Sequence, residues 1–506
     1  MIKPLSKLKG SNFLILTAII ILGGFLRLFQ ITKNALWYDE AFSAEMVKHS
    51  LTQIIELGKF DVHPPFYYFL LRWWTLIAGD SETALRGFSV IFGILLIISV
   101  YLLVKKLFNS RVALIASFLI TIAPFFIQYS RESRMYMLGA FLAVASTFFL
   151  WQAFWTKKKI KTLFYLGGYL IFTVTGIYTH YFLAFTTVAQ IIGILLGILI
   201  VDKKTRQFLS QKIGYFFLSL FLTIVFYLPW LMVFLKQLQQ VKKDYWIPAL
   251  SVISFFRTFL VITIGSIEIK TLAILVLPFI LILLVSFLAT RSLKSQKPQQ
   301  KIALILVLNC LFIPFILGAL VSISRSVFLD RYFIFAGTFE FILFAYFVAK
   351  LKNKILMPIL FVTTGIVIAT ACTNVFGLDP KQIGMRELNQ TLQQYYRPGE
   401  KIIHSASFTF IVFQYYNKNE QKSAVYTPSG ELPHYGGSAL LSNNELITDI
   451  SKYLKNTKNF WEIRTSDFNE YGLKLPKLNQ YQIKNTYQFG KESLIYYERV
   501  KKSKVN

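Results

Sequence analysis

The chain has 506 residues, of which 55% are hydrophobic and 17% aromatic while 16% carry charge, and its mean hydropathy is +0.52. That much apolar surface cannot be hidden inside a soluble globule, so the bilayer is the solvent. The net charge of +29, from 54 Lys and Arg against 25 Asp and Glu, would raise nucleic acid as a partner in a soluble chain. Here the basic residues sit in short clusters between apolar runs, the positive-inside pattern, and nucleic acid is set aside.

In chain order, a lysine-rich start, without a small-residue cleavage site, leads into a first span at Ser11–Phe29, read as retained. Further apolar runs of spanning length follow at Phe88–Val104, Val112–Gln128, Met135–Phe154, Thr162–Tyr178, Tyr181–Val201, Ile213–Leu235, Thr271–Leu288, Ile302–Ser322, Tyr332–Ala349 and Ile355–Cys372. The count is about eleven, each near the ~20 residues a hydrocarbon core demands. Pro64–Ala78 and Val252–Ile267 are apolar but ambiguous. If both lie at the interface without crossing, every strong basic cluster falls on one side, with the start inside and the end outside. The first loop, Thr32–Arg86, then lies outside, as does everything after Cys372.

From about Gly377 the composition turns polar and no run can span, which predicts a separate C-terminal soluble domain over 377–506 beside a transmembrane domain over 1–376 that includes the outer loop 32–86. Within it, Arg386–Tyr396 and Glu445–Leu454 have helical spacing, Lys401–His404, Phe408–Tyr416, Phe460–Arg464 and Ser493–Arg499 look strand-like or buried, and a small α/β fold is expected. Cys310 and Cys372 both sit in apolar runs and offer neither a disulfide framework nor a thiolate metal site.

The unusual polar residues collect on the outer side. Arg27 lies in the outer part of the first span, where charge needs a reason. Asp39 and Glu40 follow among aromatics; a carboxylate partly desolvated there suits a general base, and the alternative is that Asp39 caps a helix starting near Glu40. His63 precedes Pro64-Pro65, which fix a turn before an aromatic helix carrying Tyr67, Tyr68, Trp73 and Trp74. That places His63 rigidly at the interface as a phosphate donor or an acid, the alternative being a cap beside an aromatic belt.

Arg131, Glu132, Arg134 and Tyr136 form a third group, with arginines on the face where the positive-inside rule disfavours them. Bidentate recognition of a phosphate or carboxylate would explain them, and so would a salt-bridge cluster between spans. His180-Tyr181, where two spans meet almost without a loop, and Arg331, at the top of a later span, complete the set. Carboxylates in one loop with arginines and histidines in others describe a site for an anionic substrate and a proton to remove. No spacing supports a zinc site, a P-loop or a dinucleotide fold.

Five stretches, Asp39-Glu40, His63-Pro64-Pro65-Phe66-Tyr67-Tyr68, Leu85-Arg86-Gly87-Phe88-Ser89, Tyr129-Ser130-Arg131-Glu132-Ser133-Arg134-Met135-Tyr136 and His180-Tyr181, resemble the polytopic glycosyltransferases of the C superfamily. These are related to protein O-mannosyltransferases and to the lipid A aminoarabinose transferase, and the resemblance covers the first 200 residues or so. It implies an α-helical polytopic membrane fold with a C-terminal soluble α/β domain. It implies Asp39 as catalytic base with Glu40 beside it, and His63 with Arg131 or Arg134 on the carrier phosphate. His63 stands where relatives carry lysine.

The implied donor is a polyprenyl-phosphate-linked sugar, and the acceptor is a lipid, a glycan or a protein. Transfer is a single inverting displacement on the non-cytoplasmic face of the plasma membrane. No cofactor is required for certain, and a divalent metal is an option that relatives take or leave. The competing class is a polytopic transporter or flippase of lipid-linked or anionic substrates, expected to carry its charges and helix breaks at mid-membrane. A third is an inactive relative whose soluble domain is a binding module. Selection of the acceptor is the role expected of the soluble domain from its side of the membrane.

Overall fold

A computed structural model describes residues 10–243, 245–265, 297–350, 365, 373, 375–377, 384–419, 421–466, 475–476 and 478–500. They fall into two compact units, one made of 1–29, 63–67 and 86–376, the other of 30–62, 68–85 and 377–506. The outer loop, apart from the five residues from His63 to Tyr67 and Arg86, therefore belongs with the C-terminal segment.

The first unit is a helical bundle. Its helices are α1 (Gly10–Leu28), α5 (Glu82–Leu107, which begins in the second unit), α6 (Ser110–Ile122), α7 (Pro124–Ser130), α8 (Tyr136–Trp155), α9 (Lys159–Ile177), α10 (Leu183–Leu199), α11 (Lys203–Ser210), α12 (Ile213–Lys243), α13 (Val252–Ile264), α14 (Pro298–Val321) and α15 (Ile334–Lys350). Seven helical segments among the described residues are long and apolar enough to cross a membrane, eight with the bent pair α6 and α7. The chain is a multi-pass membrane protein. α1 turns Leu16, Ile19, Gly23 and Arg27 inward at helical spacing and leaves Phe13, Leu14, Ile21 and Phe25 exposed, as a lipid-facing helix should. α8 and α15 are the most enclosed helices, and α12 is the least. α10 lies against α14, where a side chain at Gly193 would press on the Leu306 backbone at 3.1 Å; small residues permit that approach.

Most apolar runs become helices at the expected places. The run Val112–Gln128 is not one straight span: α6 and α7 meet at a 62° bend around Ala123, because Pro124 has no N–H for the Ile120 carbonyl. Tyr181–Val201 yields a helix of 17 residues, and the ambiguous Pro64–Ala78 and Val252–Ile267 yield helices of 13 residues each. At 1.5 Å per residue the latter two reach ~20 Å, short of the ~30 Å core. Thr271–Leu288 lies outside the described residues, as does Ile355–Cys372 apart from Gly365.

The second unit joins helices α2 (Tyr38–Met46), α3 (Leu51–Gly58) and most of α4 (Phe66–Ala78) to a C-terminal α/β domain. That domain holds α16 (Met385–Tyr395), β1 (Lys401–His404), α17 (Ser407–Tyr416), β2 (Ser423–Tyr426), β3 (Leu446–Ile447), α18 (Ile450–Tyr453), β4 (Asn459–Thr465), β5 (Tyr481–Phe489) and β6 (Glu492–Arg499). The strands order as β3-β2-β1-β4-β6-β5, with β3, β2, β1 and β4 parallel and β6 and β5 antiparallel to their neighbours. Ile403, Ala424, Ile447, Phe460, Ile495 and Tyr497 form the core of the sheet, with Phe460 stacked on Tyr497 at 4.5 Å across the β4–β6 register.

Two expectations change here. Phe408–Tyr416, expected to be strand-like or buried, is largely buried but lies in the helix α17 and not in a strand, since a short apolar run fits a buried strand and a buried helix equally. Glu445–Leu454 is not one helix but a turn, the short β3 and the single turn α18.

Candidate active site

In the second unit, α2 carries the candidate carboxylates Asp39 and Glu40. α2 begins at Tyr38, so Asp39 and Glu40 both stand in its first turn, where the exposed N–H groups favour negative charge. The position before the helix is Trp37, without a side-chain cap. Asp39 is thus not the N-cap residue, and the capping alternative fails. Asp39 is half-buried and Glu40 fully buried. The Ser43 hydroxyl donates to the Asp39 carbonyl at 3.0 Å, and Phe42 packs on Tyr68, whose hydroxyl donates to the buried Asp61 at 3.1 Å.

The candidate cationic residues belong to the first unit. Pro64 and Pro65 end the loop, and the Phe66 N–H donates to the Tyr178 carbonyl at 3.1 Å. This stitches the start of α4 to the end of α9, and it brings the His63 ring within 6.1 Å of the His180 ring. His180 is buried and framed by Tyr136, Phe182, Tyr332 and Phe335, with ring centres 4.9–6.3 Å away. Its Nδ1 accepts the Phe182 N–H at 3.2 Å, which leaves the neutral ring's proton on Nε2. Among the described residues Nε2 has no hydrogen-bond partner. Burial first, then His63, Arg134 and Arg331, push the His180 pKa well below the ordinary histidine value.

Arg331 stands in a short turn (Asp330–Phe333), its guanidinium 6.0 Å from the Tyr136 ring and 5.8 Å from that of Trp246. The stretch from Arg131 to Met135, between α7 and α8, is buried throughout. Burial, and Arg86 beside it, push the Arg131 guanidinium down to about 10, and Phe376 packs on it at 4.8 Å. Glu132 accepts from Gln128 at 3.2 Å, Tyr67 shares a 3.4 Å contact with the Ser133 hydroxyl, and Ser89 donates to the Arg134 carbonyl at 3.3 Å. Several buried cations grouped with a histidine N–H left over have the character of a receptor for an anion.

Two of the sequence-named residues turn elsewhere. The Tyr181 hydroxyl is engaged by Gln237 and by the Trp230 indole N–H, both from α12. Arg27 is buried, with donors aimed at Ser130 and at the carbonyls of Gly23, Ile120 and Thr121. It therefore satisfies the carbonyls exposed at the α6–α7 bend. Arg86, Trp246 and Tyr332 are neighbours that the reading of single residues passed over. Arg86 carried the same signal as Arg131, a basic residue on the disfavoured face; the two aromatics carried none. Among the described residues no group of three or more His, Cys, Asp or Glu side chains is placed to hold a metal ion.

Residues 62–233, a third of the chain, match the family described as dolichyl-phosphate-mannose-protein mannosyltransferase. Nearly all of the chain is similar in fold to ArnT from Cupriavidus metallidurans. In the apo state the TM-score is 0.62 at 12% identity, covering 96% of this chain and 97% of that one. Bound to undecaprenyl phosphate it is 0.65 at 11% identity, covering 97% and 98%. The chain has the glycosyltransferase C fold. The same fold relates it to the archaeal oligosaccharyltransferase AglB from Archaeoglobus fulgidus, in complex with an inhibitory peptide and a dolichol-phosphate, with a TM-score of 0.55 at 14% identity, covering 90% of this chain and 69% of that one. No curated protein matches in sequence. Within the glycosyltransferase C fold, the matched stretch 62–233 holds His63, Tyr67, Arg131, Glu132, Arg134, Tyr136, His180 and Tyr181.

Proposed function

We propose that this protein is a membrane glycosyltransferase that moves a hexosyl or pentosyl unit from a polyprenyl-phosphate carrier to an acceptor hydroxyl on a lipid, glycan or protein. The observation that carries the reading is the buried His180 Nε2–H, unpartnered among the described residues, with Arg134, Arg331 and His63 in its electrostatic surroundings. A phosphate would accept from that N–H and be attracted by those cations. The matched family and the undecaprenyl-phosphate-bound neighbour support a lipid phosphate in particular.

In the reaction, Asp39 takes the acceptor hydroxyl's proton as that oxygen bonds to the anomeric carbon from the face opposite the leaving group. The bond from that carbon to the phosphate oxygen breaks, and the configuration inverts. The lipid phosphate leaves with the electron pair, its charge held by Arg131, Arg134, Arg331 and the His180 N–H. Glu40, in the same turn, keeps the local field negative, while Tyr67, Glu132 and Tyr136 belong to the walls of the donor site. The site and the C-terminal domain face the outside of the plasma membrane in this reading, since basic loops mark the other side. The domain boundary is drawn near 377, with the outer loop grouped with the C-terminal domain.

The test uses purified protein in nanodiscs with radiolabelled undecaprenyl-phosphate-linked sugars and native membrane extract as acceptor. Wild type is expected to release undecaprenyl phosphate with at least one donor, and folded Asp39→Asn to lose that turnover. Turnover with no donor would sink the transferase reading; equal turnover in both proteins would remove Asp39 as the base.

A further inference from the structure

Much of what holds the helix carrying Asp39 comes from residues more than 300 positions further along the chain. The Glu82 carboxylate is the hub. It accepts from Arg386 Nε at 3.1 Å and Nη2 at 2.6 Å, and from the Tyr416 hydroxyl at 2.6 Å. Arg386 Nη2 also donates to the Thr32 carbonyl at 3.1 Å, and the Tyr416 oxygen accepts the Leu36 N–H at 2.8 Å. The segment 32–36 that leads into α2 is thereby held at both ends, and Asn34 donates to the Gly377 carbonyl between them at 3.3 Å.

The first residue of α2 is held as well. Its Tyr38 hydroxyl donates to the Tyr435 carbonyl at 3.3 Å, and its ring meets Phe408 edge-on at 6.4 Å. The far stem of the loop is tied by the Tyr415 hydroxyl, which donates to the Asp80 carbonyl at 2.9 Å. All these groups belong to one compact unit. Arg386, Tyr416 and Glu82 are each largely or partly withdrawn from water, so their charge-assisted bonds are geometrically demanding.

We propose that Arg386 and Tyr416, clamped on Glu82, are positioning residues of the C-terminal domain that set where Asp39 stands for proton transfer. The proposal rests on the reading of Asp39 as the base. A base must come within hydrogen-bond reach of the proton it removes, and a displacement of ~1 Å costs ~100-fold in rate. Tyr416 has both hydroxyl functions committed, one as donor to Glu82 and one as acceptor from Leu36, so deleting a single oxygen unlatches the entry to α2 from the stem of α5. Arg386→Lys keeps the charge and loses the two-pronged grip.

The test compares wild type, Tyr416→Phe, Arg386→Lys and Asp39→Asn by release of undecaprenyl phosphate from the undecaprenyl-phosphate-linked sugar that turns over, with thermal unfolding measured in parallel. For the two clamp variants a ~10- to 100-fold fall in kcat is expected, with donor KM within twofold of wild type and folding retained. Wild-type kcat in both folded variants would overturn the proposal. So would a loss carried by donor KM, or failure of both to fold, which would make the clamp a fold-stabilising contact only. Asp39→Asn separates the two ideas: if it stays active, the base assignment has failed, whereas an inactive Asp39→Asn beside fully active clamp variants means that only the positioning idea has failed.

Discussion

Replacing Arg27 with Met separates packing from substrate binding at a buried residue with four protein hydrogen bonds. The guanidinium donates at 3.0 Å to Ser130, at 3.2 and 3.1 Å to the Gly23 and Thr121 carbonyls, and at 3.3 Å to the Ile120 carbonyl. Ser130 keeps its own bond to the Phe126 carbonyl after the change, so the unsatisfied groups are chiefly Ile120 and Thr121 at the bend. Four bonds at ~0.6 kcal/mol each within a membrane bundle give ~2.4 kcal/mol. A carbonyl deprived of its partner adds ~1 kcal/mol or more, and removing a buried charge returns part of that. The expected loss is about 3 kcal/mol, a ~100-fold shift in the unfolding equilibrium. Thermal or SDS unfolding in nanodiscs measures it, alongside binding of undecaprenyl phosphate. Stability equal to wild type, with affinity for the lipid phosphate down tenfold or more, would refute the packing role and return Arg27 to the substrate site.

Arg331→Met is expected to weaken undecaprenyl phosphate binding ~10- to 100-fold, the cost of one charge-assisted contact in a buried anion site, read by isothermal titration in nanodiscs; unchanged affinity would move the phosphate elsewhere. His180→Phe is expected to weaken it comparably, since the leftover N–H disappears while the ring volume is kept. In acid, His180, held well below the ordinary histidine value, and His404, held down to about 3 by burial in the C-terminal domain, are neutral when folded and charged when unfolded. The unfolded chain then binds more protons, so stability is complete above pH ~6.5 and falls below it by up to ~1.4 kcal/mol per pH unit for each group. His404→Phe should flatten that slope for the C-terminal domain, measured by unfolding between pH 7 and 5. Arg464→Met would leave the fully buried Glu462 carboxylate with the Tyr497 hydroxyl but without the two guanidinium bonds of 2.8 and 2.7 Å. A loss of ~2–3 kcal/mol is expected in urea unfolding of the soluble domain.

The helical bundle was legible in the sequence because a bilayer imposes length and apolarity on every crossing segment. Arg86 apart, so were the candidate cations, since Arg131, Arg134 and Arg331 stand beside apolar runs on the face where the expected topology disfavours basic residues. What sequence pattern could not give is partnership. Arg27 looked like a substrate ligand because nothing local reveals that Pro124 leaves a carbonyl open nearly a hundred residues later. Phe408–Tyr416 read as strand-like or buried because Phe, Ile, Val and Tyr suit a buried strand and a buried helix alike. The outer loop was assigned to the transmembrane domain by adjacency, whereas the bonds from Arg386 and Tyr416 to Glu82 tie it to the C-terminal domain. His180 was visible as an isolated histidine, but its tautomer depends on the Phe182 amide and could only be read in three dimensions.

The 304 residues that separate Glu82 from Arg386 also set a clock. A ribosome adding 5–20 residues per second needs ~15–60 s to cover that distance. Throughout that interval the outer loop has emerged without the side chains that fasten its stems. On the proposed roles of Asp39 and of the clamp, a nascent or truncated molecule is expected to carry the base on a loop whose stems are not fastened. On that proposal, completion of synthesis is the licensing step, and a chain cut short of Tyr416 is expected to release no undecaprenyl phosphate.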